Sequence, residues 1–481
     1  FDALLETLRR KTELAETPAE RVELLERRAR ICETQMDDMA GAIDAMEQVL
    51  VEDPARAEAY EKLARLYETS ERWPDLASTL ERQLDAGAGQ AVDVRYRLGS
   101  VAIERLDDAY QALDQFREAL ALDGAHEPTI AALQRLMENA EHRGAAAEIL
   151  EPVFLQRMDW PNVTATLEAR LTATDDPQGR KEILRRLGQI HEDYLEDLEG
   201  AMTCYARLLQ EDVRDRETQD TLSRLGKVLE EWEKLAGIFG QAVEREGVLD
   251  EEMAELSMEA GRLYQDMAGQ PAQAVPFYER VLELDPTSRR AFDQLKICLE
   301  GLGRNEDLLG LLRRRVDVAD SDEERVLLLH QVAHLEETTR EDVDAAIAAH
   351  RDALLIDPSD LTATEALDRL FTQTERWDDL ADHLRARIDQ SIGLPEEPEL
   401  KHRLGQLLLT KQNDTVGAID TFESVVQSRP DHLPSIQALE GLVMDSDHQQ
   451  RITEIPEPIY RGADEWKKLV AVLEARADYL P

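Results

Sequence analysis

The sequence is short of aromatic residues, at 5%, and of basic ones: 56 Lys and Arg stand against 102 Asp and Glu, a formal charge of -46. A surface this acidic is repelled by phosphate backbones and anionic headgroups. That excludes nucleic acid and anionic membranes as general partners and favours basic proteins or cations. No run of about 18 apolar residues occurs, so no segment is expected to insert in a bilayer. There are three cysteines, Cys32, Cys204 and Cys298. An odd number, widely spaced within helical patterns, reads as free buried thiols rather than a disulfide framework or a metal knuckle. Glycine and proline, 23 and 18 residues, are too few for a chain of turn-dense β domains, while 42% hydrophobic residues suffice to bury an extended core. The chain opens at Phe1 inside a helical pattern, so a segment of a larger, bacterial protein is expected, with the cytoplasm as its default compartment.

Reaction-centre signatures are missing as well. The sequence has no phosphate-cradling P-loop, no GxGxxG turn, no GxSxG elbow, no HExxH and no CxxC pair. His330 and His334, one helical turn apart and followed by Glu336 and Glu337, come nearest to a ligand set for zinc. The glutamate that belongs between the histidines is absent and no third ligand is specified, so they read as groove-facing solvated residues. Acid pairs at helical spacing are unavoidable among 102 carboxylates and single out no general acid or base. No catalytic, cofactor-binding or metal-binding residue is assigned, and no cofactor is expected.

What the sequence has in abundance is itself. Ala, an aliphatic residue next to it, and a bulky residue four after it recur at Ala42 with Met46, Ala112 with Phe116, Ala201 with Tyr205, Ala274 with Tyr278, Ala346 with His350, and Ala418 with Phe422. Seven residues after each bulky position stand Asp53, Asp123, Asp212, Asp285, Asp357 and Arg429, and Pro follows in four cases, marking helix ends. Leu63, Leu133, Leu222, Leu295, Leu367 and Leu439 follow ten residues later, and Trp73, Arg143, Trp232, Asn305, Trp377 and Gln449 ten beyond those. Upstream of each motif a helical pattern keeps one slot small: Ala29, Gly99, Gly188, Gly261, Ala333 and Gly405. The spacings 70, 89, 73, 72 and 72 define a unit of about seventy-two residues, two helical hairpins long. A hairpin with so wide an apolar stripe is buried only by stacking on its copies.

These residues resemble the tetratricopeptide family. Its Leu-Gly, Ala-aromatic and closing Pro pattern is matched by Leu98-Gly99 with Ala112 and Phe116, by Leu404-Gly405 with Ala418, Phe422 and Pro430, and by Gly261, Tyr264, Ala274, Tyr278 and Pro286. The resemblance implies an all-α fold, a right-handed α-solenoid (superhelix) of about a dozen hairpins running through residues 1–481. It weakens in the alternate hairpins, whose small slot holds Ala64, Gln134, Ser223, Lys296, Asp368 and Glu440. Trp160 and Trp466 each follow an extra seventeen-residue step, 306 residues apart. The expected organisation is a first group of hairpins over 1–142, an insertion with an extra helix over 143–176, a second group over 177–448, and a second copy of the insertion over 449–481. The recurring tryptophans read as packing anchors between hairpins.

In this family the residue after the small slot faces the concave groove, which implies a row of Arg30, Arg65, Arg135, Arg224, Arg262 and Arg369, with His330 and His334 in the same groove. Guanidinium forks suit carboxylates, hence acidic or carboxyl-terminal peptides. Glu26, Glu61, Asp220 and Glu365, one turn before four of these arginines, favour intrahelical pairs instead; Arg135 and Arg262 lack such an acid. The carboxylate-clamp subfamily carries Lys and Asn where this chain has Tyr96, Arg185, Met258, His330 and His402, so chaperone-tail binding is not expected. The sequence points to a non-catalytic scaffold or adaptor for proteins or peptides. The alternatives are a recruiting arm of an enzyme whose catalytic domain lies elsewhere, and a structural spacer or filament.

Overall fold

The computed structural model describes residues 1–244, 247, 249–442, 449–455, 460–461 and 466–477, and the described residues form helices and turns with no strand. Two compact units divide the chain, Phe1–Ala268 and Gly269–Pro481. In the first, α1 (Asp2–Leu14) precedes α2 (Pro18–Gln35) with α3 (Met39–Glu52), α4 (Ala57–Thr69) with α5 (Trp73–Asp85), and α6 (Ala91–Arg105) with α7 (Ala109–Leu122). Then come α8 (Glu127–Glu138), α9 (Arg143–Gln156) with α10 (Trp160–Ala173), α11 (Pro177–Asp193) with α12 (Leu198–Glu211), α13 (Arg216–Leu229) with α14 (Trp232–Val243), and α15 (Asp250–Arg262). The second unit holds α16 (Pro271–Leu284), α17 (Arg289–Leu302) with α18 (Asn305–Val318), α19 (Asp322–Thr338) with α20 (Val343–Ile356), and α21 (Leu361–Gln373) with α22 (Trp377–Gln390). It continues with α23 (Glu397–Leu407) and α24 (Thr415–Ser428), α25 (Leu433–Leu442), α26 (Gln449–Glu454) and α27 (Trp466–Ala477). Much of the second insertion predicted over 449–481, including residues 456–459 and 462–465, lies outside the described residues.

The turns show where some of the acid goes. Each Ala-motif hairpin closes through a left-handed residue: Asp37, Asp107, Glu196, Gly269, Glu341 and Asn413 all have φ between 52° and 66°. An aspartate follows in five of the six and caps the second helix. Asp38, Asp108, Asp197, Asp342 and Asp414 each accept the N–H three residues on, at 2.9–3.0 Å. Such caps stabilise by about 1 kcal/mol each and set the carboxylate at the positive end of the helix dipole. At the other end of the hairpin Asp53, Asp123, Asp285 and Asp357 accept an N–H two residues on, tying off the reversal.

Packing inside the Ala-motif hairpins that lie within one unit follows the small slot. Ala42, Ala112, Ala201, Ala346 and Ala418 are wholly buried, and the bulky residue four later lies across the preceding helix. A β-carbon on Gly99 would stand 2.7 Å from the Phe116 ring, and one on Gly405 2.5 Å from that of Phe422. The slot and its partner change together: glycine goes with Phe or Tyr, whereas Ala29 goes with Met46 and Ala333 with His350. A methyl group in the slot leaves room only for a slimmer or smaller side chain opposite.

Around the first insertion the structure departs from the register read in the sequence, which put Gln134 in the small slot and Arg143 in the tryptophan slot. The alternate hairpins turn through left-handed Glu71, Glu230, Gly303 and Glu375, seven residues after the slot; Glu141 is not left-handed, and Met158 is. Glu151 is therefore the slot residue, and α9 with α10 is the regular hairpin, opened at Trp160. The extra helix is α8.

Candidate functional site

The face made by the first helices of the hairpins carries the residues expected to meet a ligand, and most of them are engaged within the array. Arg65 bonds Glu33, Arg224 bonds Glu192 at 2.7 Å, and Arg369 takes both oxygens of Glu337 at 2.6 and 2.8 Å. Each partner lies 32 residues back, on the neighbouring first helix. The intrahelical pairs with Glu61, Asp220 and Glu365 expected from the sequence are replaced by rungs between hairpins, because the planar guanidinium fork spans the helix gap to a carboxylate one turn beyond the small slot. The hydrogen bond from Arg369 holds the Glu337 carboxyl below its usual range.

Arg262, expected to lack an acid, bonds Glu259 three residues earlier at 2.6 Å. Arg135 does stand open: it is exposed and forms no ion pair among the described residues, and the residue 32 before it is Ile103. Arg30 is likewise exposed and without an ion pair. Of the six arginines predicted to line the groove, four are thus spoken for by this chain's own carboxylates.

A second set of rungs joins three of the alternate hairpins to the helix that follows. Arg97 bonds Glu68 at 2.6 Å, Arg403 bonds Asp368 at 2.7 Å, and Arg186 bonds Glu151. Glu151 also takes Arg170, and Asp368 also takes Arg387, with the same steps of 19 and 35 residues in both clusters. Glu151 is buried and Asp368 largely so, and each joins two arginines from the two following helices.

Three residues before the small slot lies a third set. Glu26 bonds Arg56 at 2.8 Å, Tyr96 packs edge-on against His126, and Arg185 bonds Asp215 at 2.7 Å. Burial alone would raise the Asp215 carboxyl, but hydrogen bonds from Thr218 and Arg185 outweigh it and hold it low. His330 sits 2.6 Å from Asp360, and His402 faces His432. The partner in each case is the residue just before the helix two further along the chain. His330 is accordingly half-buried and paired rather than solvated, whereas His334 is exposed.

Glu336, grouped with these histidines on helical spacing, does not face the groove: it is wholly buried and bonds Arg313 and, at 3.5 Å, Arg340. Among the described residues no group of three or more His, Cys, Asp or Glu could hold a metal ion, and no helix is long and apolar enough to cross a membrane. His330, Gln331, His334 and Leu335 border a cleft of about 290 Å³ with Glu300, Leu308 and Leu312. Cys32, Cys204 and Cys298 are buried, and burial pushes the Cys204 thiol up to about 11.

The tryptophans sit at hairpin junctions. Trp160 stacks on Tyr194 at 3.8 Å, Arg105 covers Trp73 at 4.6 Å, and Lys411 covers Trp377 at 4.5 Å, the partner in each case closing the next first helix. Where asparagine replaces the tryptophan, at Asn305, the residue at the corresponding step is Thr339.

Two stretches of this repeat match family models, both described as tetratricopeptide repeat, over residues 59–91 and 256–288. The chain carries tetratricopeptide repeats in these stretches. Solved structures similar to it include YrrB, described as a TPR protein with an unusual peptide-binding site, at 15% identity over 43% of this chain and 99% of that one, with a TM-score of 0.22. A MamA double mutant is 15% identical over 37% of this chain and 97% of its own, with a TM-score of 0.21. Naa15/Naa10 bound to HypK is 13% identical over 98% and 79%, with a TM-score of 0.21. No curated protein matches the chain.

Proposed function

We propose that this tetratricopeptide repeat protein is a non-catalytic scaffold for other proteins, and that basic segments of those partners meet its acidic surface. The observation that carries the reading is the ladder of rungs. Four of the six groove arginines, Arg65, Arg224, Arg262 and Arg369, are neutralised by the chain's own acids, which leaves the excess of 102 acids over 56 bases to face outward. Charge of one sign steers partners of the other and makes association sensitive to salt. Affinity capture from the native cell on the immobilised chain, with elution by rising salt, tests this. Partners rich in Lys and Arg that leave as salt rises support it; partners that are acidic, or unaffected by salt, refute it.

One observation favours a second contact. With Ile103 rather than a carboxylate 32 residues before it, Arg135 on α8 keeps an exposed guanidinium outside any ion pair among the described residues, able to take an acidic group of the partner. On this reading Arg135→Glu weakens capture while Arg369→Glu, at a rung, leaves it unchanged.

A further inference from the structure

We propose that the second unit is acid-sensitive: its hairpin junctions between Asp322 and Leu442 loosen as the pH falls below about 6.5, through histidines at buried and half-buried positions where the first unit has no imidazole. His350 occupies the slot of Met46, Phe116 and Tyr205; His402 that of Glu26, Tyr96 and Arg185; His383 that of Thr79, Thr166 and Ile238.

His350 is 6% exposed and its Nδ1 is buried with no hydrogen-bond partner. Its ring lies 5.6 Å from that of His330, whose own Nδ1 is buried and unpartnered and whose Nε2 faces Asp360. The charged groups nearest it are His330 and Glu337 on α19, and Asp360 and Arg369 from the next hairpin. Glu337 is already neutralised by both nitrogens of Arg369. A proton on His350 would add a cation beside Arg369 with no acceptor waiting for it.

The junction of α23 with α25 has the same weakness in another form. Ser435 Oγ lies 2.9 Å from both His402 Nδ1 and His432 Nδ1, and the two rings are 5.3 Å apart. His432 Nδ1 accepts the Ser435 N–H, so its Nε2 carries the hydrogen given to Glu399 at 2.8 Å. The single hydroxyl hydrogen of Ser435 then serves His402. Protonating His402 turns that acceptor into a donor beside His432, while Glu399 is already shared between His432 and Arg429. His383, its side chain 8% exposed, has Nε2 buried and unpartnered and lies 3.8 Å from Asp368 Oδ1. That carboxylate is held by Arg387 and Arg403.

Burial, then the His330 charge, pushes His350 down to about 4. Burial, then His432, lowers His402, and burial lowers His383 against the opposing pull of Asp368. The opened chain takes up these protons near the ordinary imidazole value and the folded stack refuses them. Stability is therefore complete above about 6.5 and is lost as the pH falls through the window. For His350 alone, a shift from 6.5 to about 4 multiplies the opening equilibrium roughly 10-fold between pH 7.5 and 5.5. In the first unit His126 and His191 each sit against a carboxylate, Asp93 at 3.3 Å and Asp197 at 2.9 Å.

Hydrogen exchange on the full chain at pH 7.5 and 5.5, corrected for the intrinsic rate, is the test. Amides of α19 to α25 are expected to lose roughly 10-fold or more in protection relative to α2 to α7. Parallel behaviour of the two sets overturns the proposal. The triple variant His350→Met, His383→Thr, His402→Tyr copies residues of the first unit, methionine being the partner that Ala29 accepts, and is expected to abolish the difference; persistence of the difference overturns it. If the triple variant lacks native circular dichroism at pH 7.5, His350→Met alone is expected to recover its share of roughly 10-fold, and no recovery equally overturns the proposal.

Discussion

The ring of Tyr205 lies so close over Gly188 that a β-carbon built on the glycine would stand 2.7 Å from it. Gly188→Ala should therefore destabilise the α11–α12 hairpin by about 1–3 kcal/mol, the usual cost of overpacking. Adding Tyr205→Met should restore much of the loss by copying the Ala29 and Met46 pair. Gly301→Ala, at a helical glycine with nothing within 4 Å, should instead stabilise by about 1 kcal/mol. Urea unfolding followed by helical circular dichroism compares the three.

Removing a two-arginine node should cost more than removing any surface pair. Glu151→Ala and Asp368→Ala each leave two guanidinium groups facing a vacated buried position, with an expected loss of about 3–5 kcal/mol. The two should behave alike, since their arginines lie at the same steps of 19 and 35 residues. Denaturation of the two variants, with double-mutant cycles to Arg170 and Arg387, measures this.

The rungs predict a rescue. Arg369→Glu places two acids together and should weaken the α19–α21 junction by about 1 kcal/mol or less, because both partners are partly exposed. The exchange Glu337→Arg with Arg369→Glu should restore it. The Glu337 carboxyl is held low chiefly by the Arg369 hydrogen bond. The rung's contribution is therefore present above the ordinary glutamate range and fades as the pH falls through that range, a trend Arg369→Gln should remove. Arg135→Glu, with no rung to break, should leave the midpoint of urea unfolding unchanged.

The thiols give a probe of opening. With its pKa pushed up from 9.0 to about 11, Cys204 at pH 8 holds roughly a hundredth of the thiolate of a free cysteine. Iodoacetamide should label it at least about 100-fold more slowly in the folded chain than in urea, with mass spectrometry reading the site.

The hairpins and their close-packed slots were legible because a small residue, an Ala and a ring recur at fixed steps, and steric fit ties those residue types to one place. The first-helix face was legible only in part. For Arg65, Arg224 and Arg369 helical spacing favours the acid four residues away, whereas the guanidinium reaches the acid 32 residues away. That reach depends on the gap between helices, which no local pattern encodes. A signal was nonetheless present: Arg65, Arg224 and Arg369 follow Glu33, Glu192 and Glu337, while Arg135, Ile297 and Gly441 follow Ile103, Gln265 and Leu409. Comparing residues one hairpin apart would have found it. The same comparison would have shifted the insertion, because Glu151 repeats the arginine spacing of Asp368 and Gln134 does not.

The two alternating sets of rungs also limit how such a chain can be reshuffled. Arg65 and Glu33 belong to one seventy-two-residue block, whereas Arg97 and Glu68 straddle two. A crossover that exchanges a single hairpin therefore strands a charge on both sides, and one that exchanges a whole block strands charges only at its two seams. Duplication or grafting is best tolerated in whole blocks whose seams match, an acid offered where an arginine arrives. At the Arg65-type positions Arg and Glu occur together in three blocks, and in two others, Ile297 with Gln265 and Gly441 with Leu409, both are replaced.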